Sequence, residues 1–111
     1  MKRDAWKEFR RSAPVFAALG DETRLTMLGR LSNDGPQSIT RLCAGTGVTR
    51  QAVTKHLRVL EEAGLVTSER TGREAVFTVE PEGFARSREL LELISKQWDS
   101  TLERLRDFVE D

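Results

Sequence analysis

Between Thr49 and Arg58 the chain places Arg50, Gln51, Thr54, Lys55 and Arg58 at spacings of one, three and four residues. At about 100° per residue these side chains share one side of a helix, with Arg50 at its edge and Val53, Leu57 and Leu60 opposite. A glutamine amide can donate and accept in one plane, and guanidinium and ammonium groups neutralise phosphate. Together they suit hydrogen bonding to base edges and phosphates. Nothing here suits bond-making chemistry. The chain has one His and one Cys, no Ser-His-Asp arrangement for a nucleophile, and no phosphate-cradling Gly loop, so an enzyme is not expected. His56 lies roughly 60° off the centre of the apolar stripe, where it either bridges helices or meets a phosphate. Cys43 reads as a small buried hydrophobe, there being no second cysteine to resolve a sulfenate. An ordinary amphipathic surface helix would show the same two faces. The elements around it decide between the two readings.

Thr40 is placed to cap a short helix carrying Leu42 and Cys43, which Gly45-Thr46-Gly47 breaks. Thr49 caps the longer helix, and Gly64 ends it. Residues 40–64 therefore read as a helix-turn-helix, whose second helix offers its outer N-terminal turns to the DNA major groove. After Gly64 the period changes to two. Residues 65–70 and 73–79 form a β-hairpin around Gly72, with Ala75, Phe77 and Val79 on one face and Arg70 and Arg73 flanking the tip. Behind a recognition helix, such a basic-tipped hairpin is a wing that lays its arginines on phosphates or the minor groove. The alternative is an edge hairpin charged only for solubility.

The flanking segments ask for a partner. Residues 1–12 form a helix with Trp6 and Phe9 on one face. Pro14 interrupts it and opens a second short helix with Val15, Phe16 and Leu19, ending at Gly20. Asp21 caps the next helix, Glu22 adds a favourable first-turn charge, and Leu25, Met27, Leu28 and Leu31 form its buried stripe. Asn33-Asp34-Gly35-Pro36 ends that helix, and Gln37-Ser38-Ile39 is an extended link. Pro81 and Gly83 separate the wing from a last helix over residues 84–109. Leu91, Ile94, Trp98, Leu102, Leu105 and Val109 form a seam along it. At 1.5 Å per residue the helix spans roughly 40 Å, more than a small domain needs to cover its core. The surplus predicts an isologous homodimer that buries Leu91, Ile94, Trp98, Leu102 and Leu105 with Trp6 and Phe9. A monomer whose last helix folds back over the wing base is the other arrangement.

The 111 residues suit one small domain that is mostly helical with a two-stranded β wing, an α+β winged helix-turn-helix. Its parts are dimerisation helices at 1–20 and 84–111, the helix-turn-helix at 40–64 and the wing at 65–79. Net charge is zero, with 18 bases and 18 acids, but it is unevenly spread. Residues 37–73 carry a surplus of three positive charges and residues 80–111 a surplus of four negative ones. Only the middle of the chain is therefore expected to meet double-stranded DNA. No run approaches the ~18 apolar residues of a membrane span, and no signal-peptide pattern is present. A lone cysteine fits a reducing cytoplasm. The expectation is a cytoplasmic protein with no membrane contact.

Three segments together resemble the ArsR-type winged-helix transcriptional regulators: VFAALGDETRLTMLGRL at 15–31, TRQAVTKHLRVLEEAGLV at 49–66 and TSERTGREAVFTV at 67–79. The resemblance covers nearly the whole chain. It implies a homodimeric repressor that binds an inverted repeat and occludes a promoter, often its own. Arg50, Gln51, Thr54 and Lys55 stand where that family presents its base- and phosphate-contacting side chains. Thr49 caps the helix within reach of a phosphate, and Arg73 stands on the wing. Metal-sensing members place paired cysteines near the first helix of the motif, or His and carboxylate ligands along the last helix. Here Cys43 is alone, and the last helix offers only carboxylates such as Glu92, Asp99 and Glu103. A zinc or soft-metal site wants about four ligands, usually thiolate or imidazole, so neither metal sensing nor a cofactor is expected. The closing WDSTLERLRDFVED at 98–111 looks like a branch without metal ligands that ends in W-x-x-x-L-x-x-L. Two alternatives remain at this stage. One is a winged-helix protein-interaction module, suggested by the zero net charge. The other is a repressor gated by a small apolar ligand between the dimer helices near Trp98.

Overall fold

Capping residues and glycines set the boundaries of the elements. The computed structural model describes the backbone of residues 3–110 and the side chains of residues 6–110. In order these are α1 (Arg3–Leu19), α2 (Glu22–Asp34), β1 (Gln37–Ser38), α3 (Ile39–Cys43), α4 (Arg50–Glu62), β2 (Val66–Thr71), β3 (Glu74–Val79) and α5 (Pro81–Glu110). Asp21 caps α2 by accepting the Arg24 N–H at 3.0 Å, and Thr49 caps α4 by accepting the Ala52 N–H at 3.1 Å. Both match the sequence expectation. The cap of α3 does not: Ser38 accepts the Arg41 N–H at 3.2 Å, and Thr40 lies inside the first turn. Ser38 ends a strand and is already extended, as a cap requires.

The end of α4 is a Schellman motif. The Leu65 N–H reaches the Leu60 carbonyl and the Gly64 N–H the Glu61 carbonyl, both at 3.0 Å, with Gly64 at φ 78°. Leu60 and Leu65, which accompany it, are both fully buried. Against this turn lies the first turn of α5, which begins at Pro81 rather than at Phe84. Gly83 is not a separator. It sits within that turn, where a Cβ would overlap the Gly64 carbonyl.

Three further expectations give way to packing. Pro14 does not divide the N-terminal segment, and α1 is continuous. An interior proline costs ~3 kcal/mol, and α1 is held on both sides of it. Ser12 and Ala18 are buried, Val15 and Leu19 pack on the core, and Glu8 pairs with Arg86 of α5 at 3.5 Å. Leu25 is 51% exposed, whereas Met27, Leu28 and Leu31 are buried. Leu25 lies about 110° from the centre of that stripe, and the first-turn position facing inward is Arg24. The link Gln37–Ser38 is a strand pairing with β3 (Gln37↔Phe77, Ser38↔Val76), so the hairpin belongs to a three-stranded antiparallel sheet ordered β1-β3-β2. Its hairpin turn is Gly72-Arg73, with Gly72 at φ 66°, as a type II′ turn requires.

Arg24 joins three helices. Its Nε donates to the Ala18 carbonyl at 2.7 Å and its Nη2 to the Ala17 carbonyl at 3.3 Å, at the negative end of α1. Its Nη1 lies 3.3 Å from Nδ1 of His56 on α4. A guanidinium has no acceptor, so in this hydrogen bond Nδ1 accepts. Asp21 Oδ2 stands 3.8 Å from the same nitrogen. The core cluster draws on α1, α2, α3, α4, β2 and β3, and most of α5 lies outside it. The radius of gyration is accordingly 18.4 Å, against about 13 Å for a compact chain of this length.

Two stability predictions follow from these contacts. Gly83→Ala forces α5 off the Gly64 turn and should cost roughly 1–3 kcal/mol, read as a lower midpoint in urea unfolding. The Arg24 backbone N–H, and then the nearby Arg24 charge, hold the Asp21 carboxyl below its ordinary value. A depressed folded-state pKa stabilises fully above the unfolded value, and that contribution is lost as pH falls through the folded one. Melting temperature followed downward from about pH 5 should therefore fall more steeply for the native chain than for Asp21→Asn, which keeps a capping acceptor without the charge.

Candidate nucleic-acid interface

The outward face of α4 is set by its inward one. Val53, Leu57 and Leu60 are all fully buried. Arg50, Gln51, Thr54, Lys55 and Arg58 then line one shallow surface depression of about 300 Å³. The turn before α4 is built on Gly45 and Gly47, at φ 76° and 68°. Between them Thr46 Oγ1 donates to the Cys43 carbonyl at 2.9 Å and accepts the Val48 N–H at 3.3 Å.

Arg30 of α2 fixes α3 from behind. Its Nη1 donates to the Leu42 and Ala44 carbonyls at 3.0 and 3.1 Å, and its Nη2 to the Arg41 carbonyl at 2.9 Å. Sequence reasoning passed over this residue. The available signal was the length of α3: a five-residue helix leaves its last carbonyls without internal donors, and a nearby cation is the natural supply.

Arg50 is tied to the wing. Its Nη1 donates to Thr40 Oγ1 at 3.1 Å, and that hydroxyl donates to Glu74 Oε1 at 3.0 Å. Thr40 therefore relays between the first residue of α4 and the first residue of β3, beside Arg73 at the wing tip. Ser68 of β2 donates to Glu61 Oε2 at 2.6 Å and docks the wing on the far end of α4. Among the described residues no ion pair involves Arg50, Lys55, Arg58, Arg70 or Arg73, whereas Arg11, Arg86, Arg88 and Arg106 all have carboxylate partners. The cations of α4 and the wing are thus left uncommitted to acids. His56 stands apart from them, with Nδ1 turned inward to Arg24 and its side chain 23% exposed.

The seam residues lie away from this face. Trp98 is 62% exposed, Trp6, Leu91, Leu102 and Leu105 are similarly open, and Phe9 and Ile94 are half-buried. Trp6 and Phe9 stack edge to face, with centroids 5.8 Å apart. Among the described residues no three His, Cys, Asp or Glu side chains converge as metal ligands. No described helix is long and apolar enough to cross a membrane.

Residues 19–69 match the family described as a helix-turn-helix domain. YuzN, a helix-turn-helix-type transcriptional regulator of Bacillus subtilis, is 44% identical over 75 residues, covering 60% of this chain and 82% of that protein. The solved structure of an ArsR-like transcriptional regulator from Rhodococcus sp. RHA1 is 36% identical, with a TM-score of 0.77, over 90% of this chain and 93% of that one. A second solved ArsR family transcriptional regulator is 30% identical, with a TM-score of 0.75, over 82% of this chain and 93% of that one. With its capped recognition helix, its wing and these relatives, the chain belongs to the ArsR family of winged helix-turn-helix transcriptional regulators.

Proposed function

We propose that the protein is a homodimeric repressor that binds an inverted-repeat operator through α4 and the wing, without sensing a metal. The observation that carries this reading is the set of uncommitted cations on one surface, with Arg50 linked through Thr40 to the start of β3. Gln51 and Arg50 read base edges. Lys55, Arg58, Arg70 and Arg73 hold phosphates, and Thr49 supplements them at the helix start. His56 serves the inner side of the helix through Arg24. Dimerisation is supported by the exposed seam of α5, since Trp98, Leu102 and Leu105 have no place in the core. The absence of metal sensing rests on the ligand set: one cysteine, and no histidine in α5.

Fluorescence anisotropy against the duplex upstream of the protein's own gene tests the reading, beside a scrambled control and across a salt series. Selective binding that saturates at two chains per site supports it; equal weak binding to both duplexes counts against it. Arg73→Ala should weaken binding to every sequence and reduce the salt slope by about one. Gln51→Ala should instead cost about 1–3 kcal/mol on the operator and little on the scrambled duplex. Leu102→Asp should leave the melting transition in place and reduce the solution mass to that of one 12.6 kDa chain. Light scattering after size exclusion reads that change.

A further inference from the structure

Thr54 stands near the middle of the recognition face, yet its hydroxyl proton is already used. Thr54 Oγ1 donates to the Arg50 carbonyl one turn back, at 2.8 Å. It therefore has no proton to offer a base or phosphate, and what the side chain still presents is its methyl group and the acceptor lone pairs of Oγ1. The depression it helps to line is mostly carbon, although four of its five lining residues are Arg, Gln or Lys. Long cationic side chains carry their charged heads outward and leave their methylene stems as walls. Gln51 lies three residues before Thr54, on the same helical face.

A duplex offers one apolar group on the base edges of its major groove, the 5-methyl of thymine. Resting on the DNA-binding reading above, we propose that the Thr54 methyl and the surrounding stems receive that methyl, so that Thr54 specifies a thymine in each operator half-site. A threonine whose hydroxyl proton is held by its own helix can no longer donate to the oxygens of thymine or guanine, so its contact with thymine runs through the methyl. The neighbouring Gln51 amide supplies the hydrogen-bond readout beside it.

The test starts from the duplex that the full chain recovers from a random-sequence pool. Each thymine in turn is replaced by deoxyuridine, which lacks only the methyl. The native chain should lose about fourfold in affinity at one thymine per half-site, the worth of one buried methyl-sized group. Thr54→Ser keeps the hydroxyl but not the methyl, and should bind the thymine and deoxyuridine duplexes with a clearly smaller difference. Thr54→Val keeps a methyl and should retain the difference. Insensitivity of the native chain at every thymine overturns the inference while leaving DNA binding intact, as does an undiminished difference in Thr54→Ser. A pool that yields no preferred duplex removes the DNA-binding reading, and this inference with it.

Discussion

The direction in which α4 faces is decided by three side chains, and everything else on the recognition surface depends on it. Val53, Leu57 and Leu60 are fully buried, and the helix cannot rotate about its axis without exposing one of them. Two arginines turn that apolar anchorage into a fixed geometry. Arg24 ties α4 to α1 and the start of α2, and Arg30 ties the end of α3 to α2. Both satisfy helix-terminal carbonyls that would otherwise need water. The outer face keeps its cations because the inner polar requirements are met from other elements.

The C-terminal end of α4 is constrained just as tightly. The Schellman turn at Gly64 satisfies its last carbonyls and starts β2, and Gly83 lets α5 approach that turn more closely than any side chain permits. One crossing of two glycines thus sets where the wing begins and where the long helix departs. The departure of α5 from the core is what gives the chain its extended shape, 66 Å in its longest dimension.

What the sequence reveals is what adjacent residues decide. Thr49 and Asp21 are legible as caps because the groups they satisfy lie three residues on. The α4 stripe is legible from its period, and Gly72 from the two-residue turn it serves. What escapes is settled by partners far along the chain. The short strand at Gln37 and Ser38 is too brief to alternate, and exists because β3 pairs with it. Ser38 and Thr40 are both capping types, and the extended conformation of the strand chooses between them. Spacing alone puts Leu25 off the Met27–Leu28–Leu31 stripe and Arg24 on it, but it does not announce the α1 carbonyls and His56 that Arg24 meets there. Pro14 and Gly83 look like punctuation and are not, since tertiary contacts override both. On the outer face of α4 the grouping of Arg50, Gln51, Thr54, Lys55 and Arg58 is legible from their spacing. The Arg50–Thr40–Glu74 connection is not, because it spans 34 residues between Thr40 and Glu74.

That connection holds Arg50 in one place before anything docks. In the free chain one Nη1 proton of Arg50 is engaged by Thr40, and the other guanidinium N–H groups stay free to donate. Glu74 also sets a negative charge beside the surface that phosphates would approach. A side chain already ordered has less rotamer freedom to lose when it meets a partner.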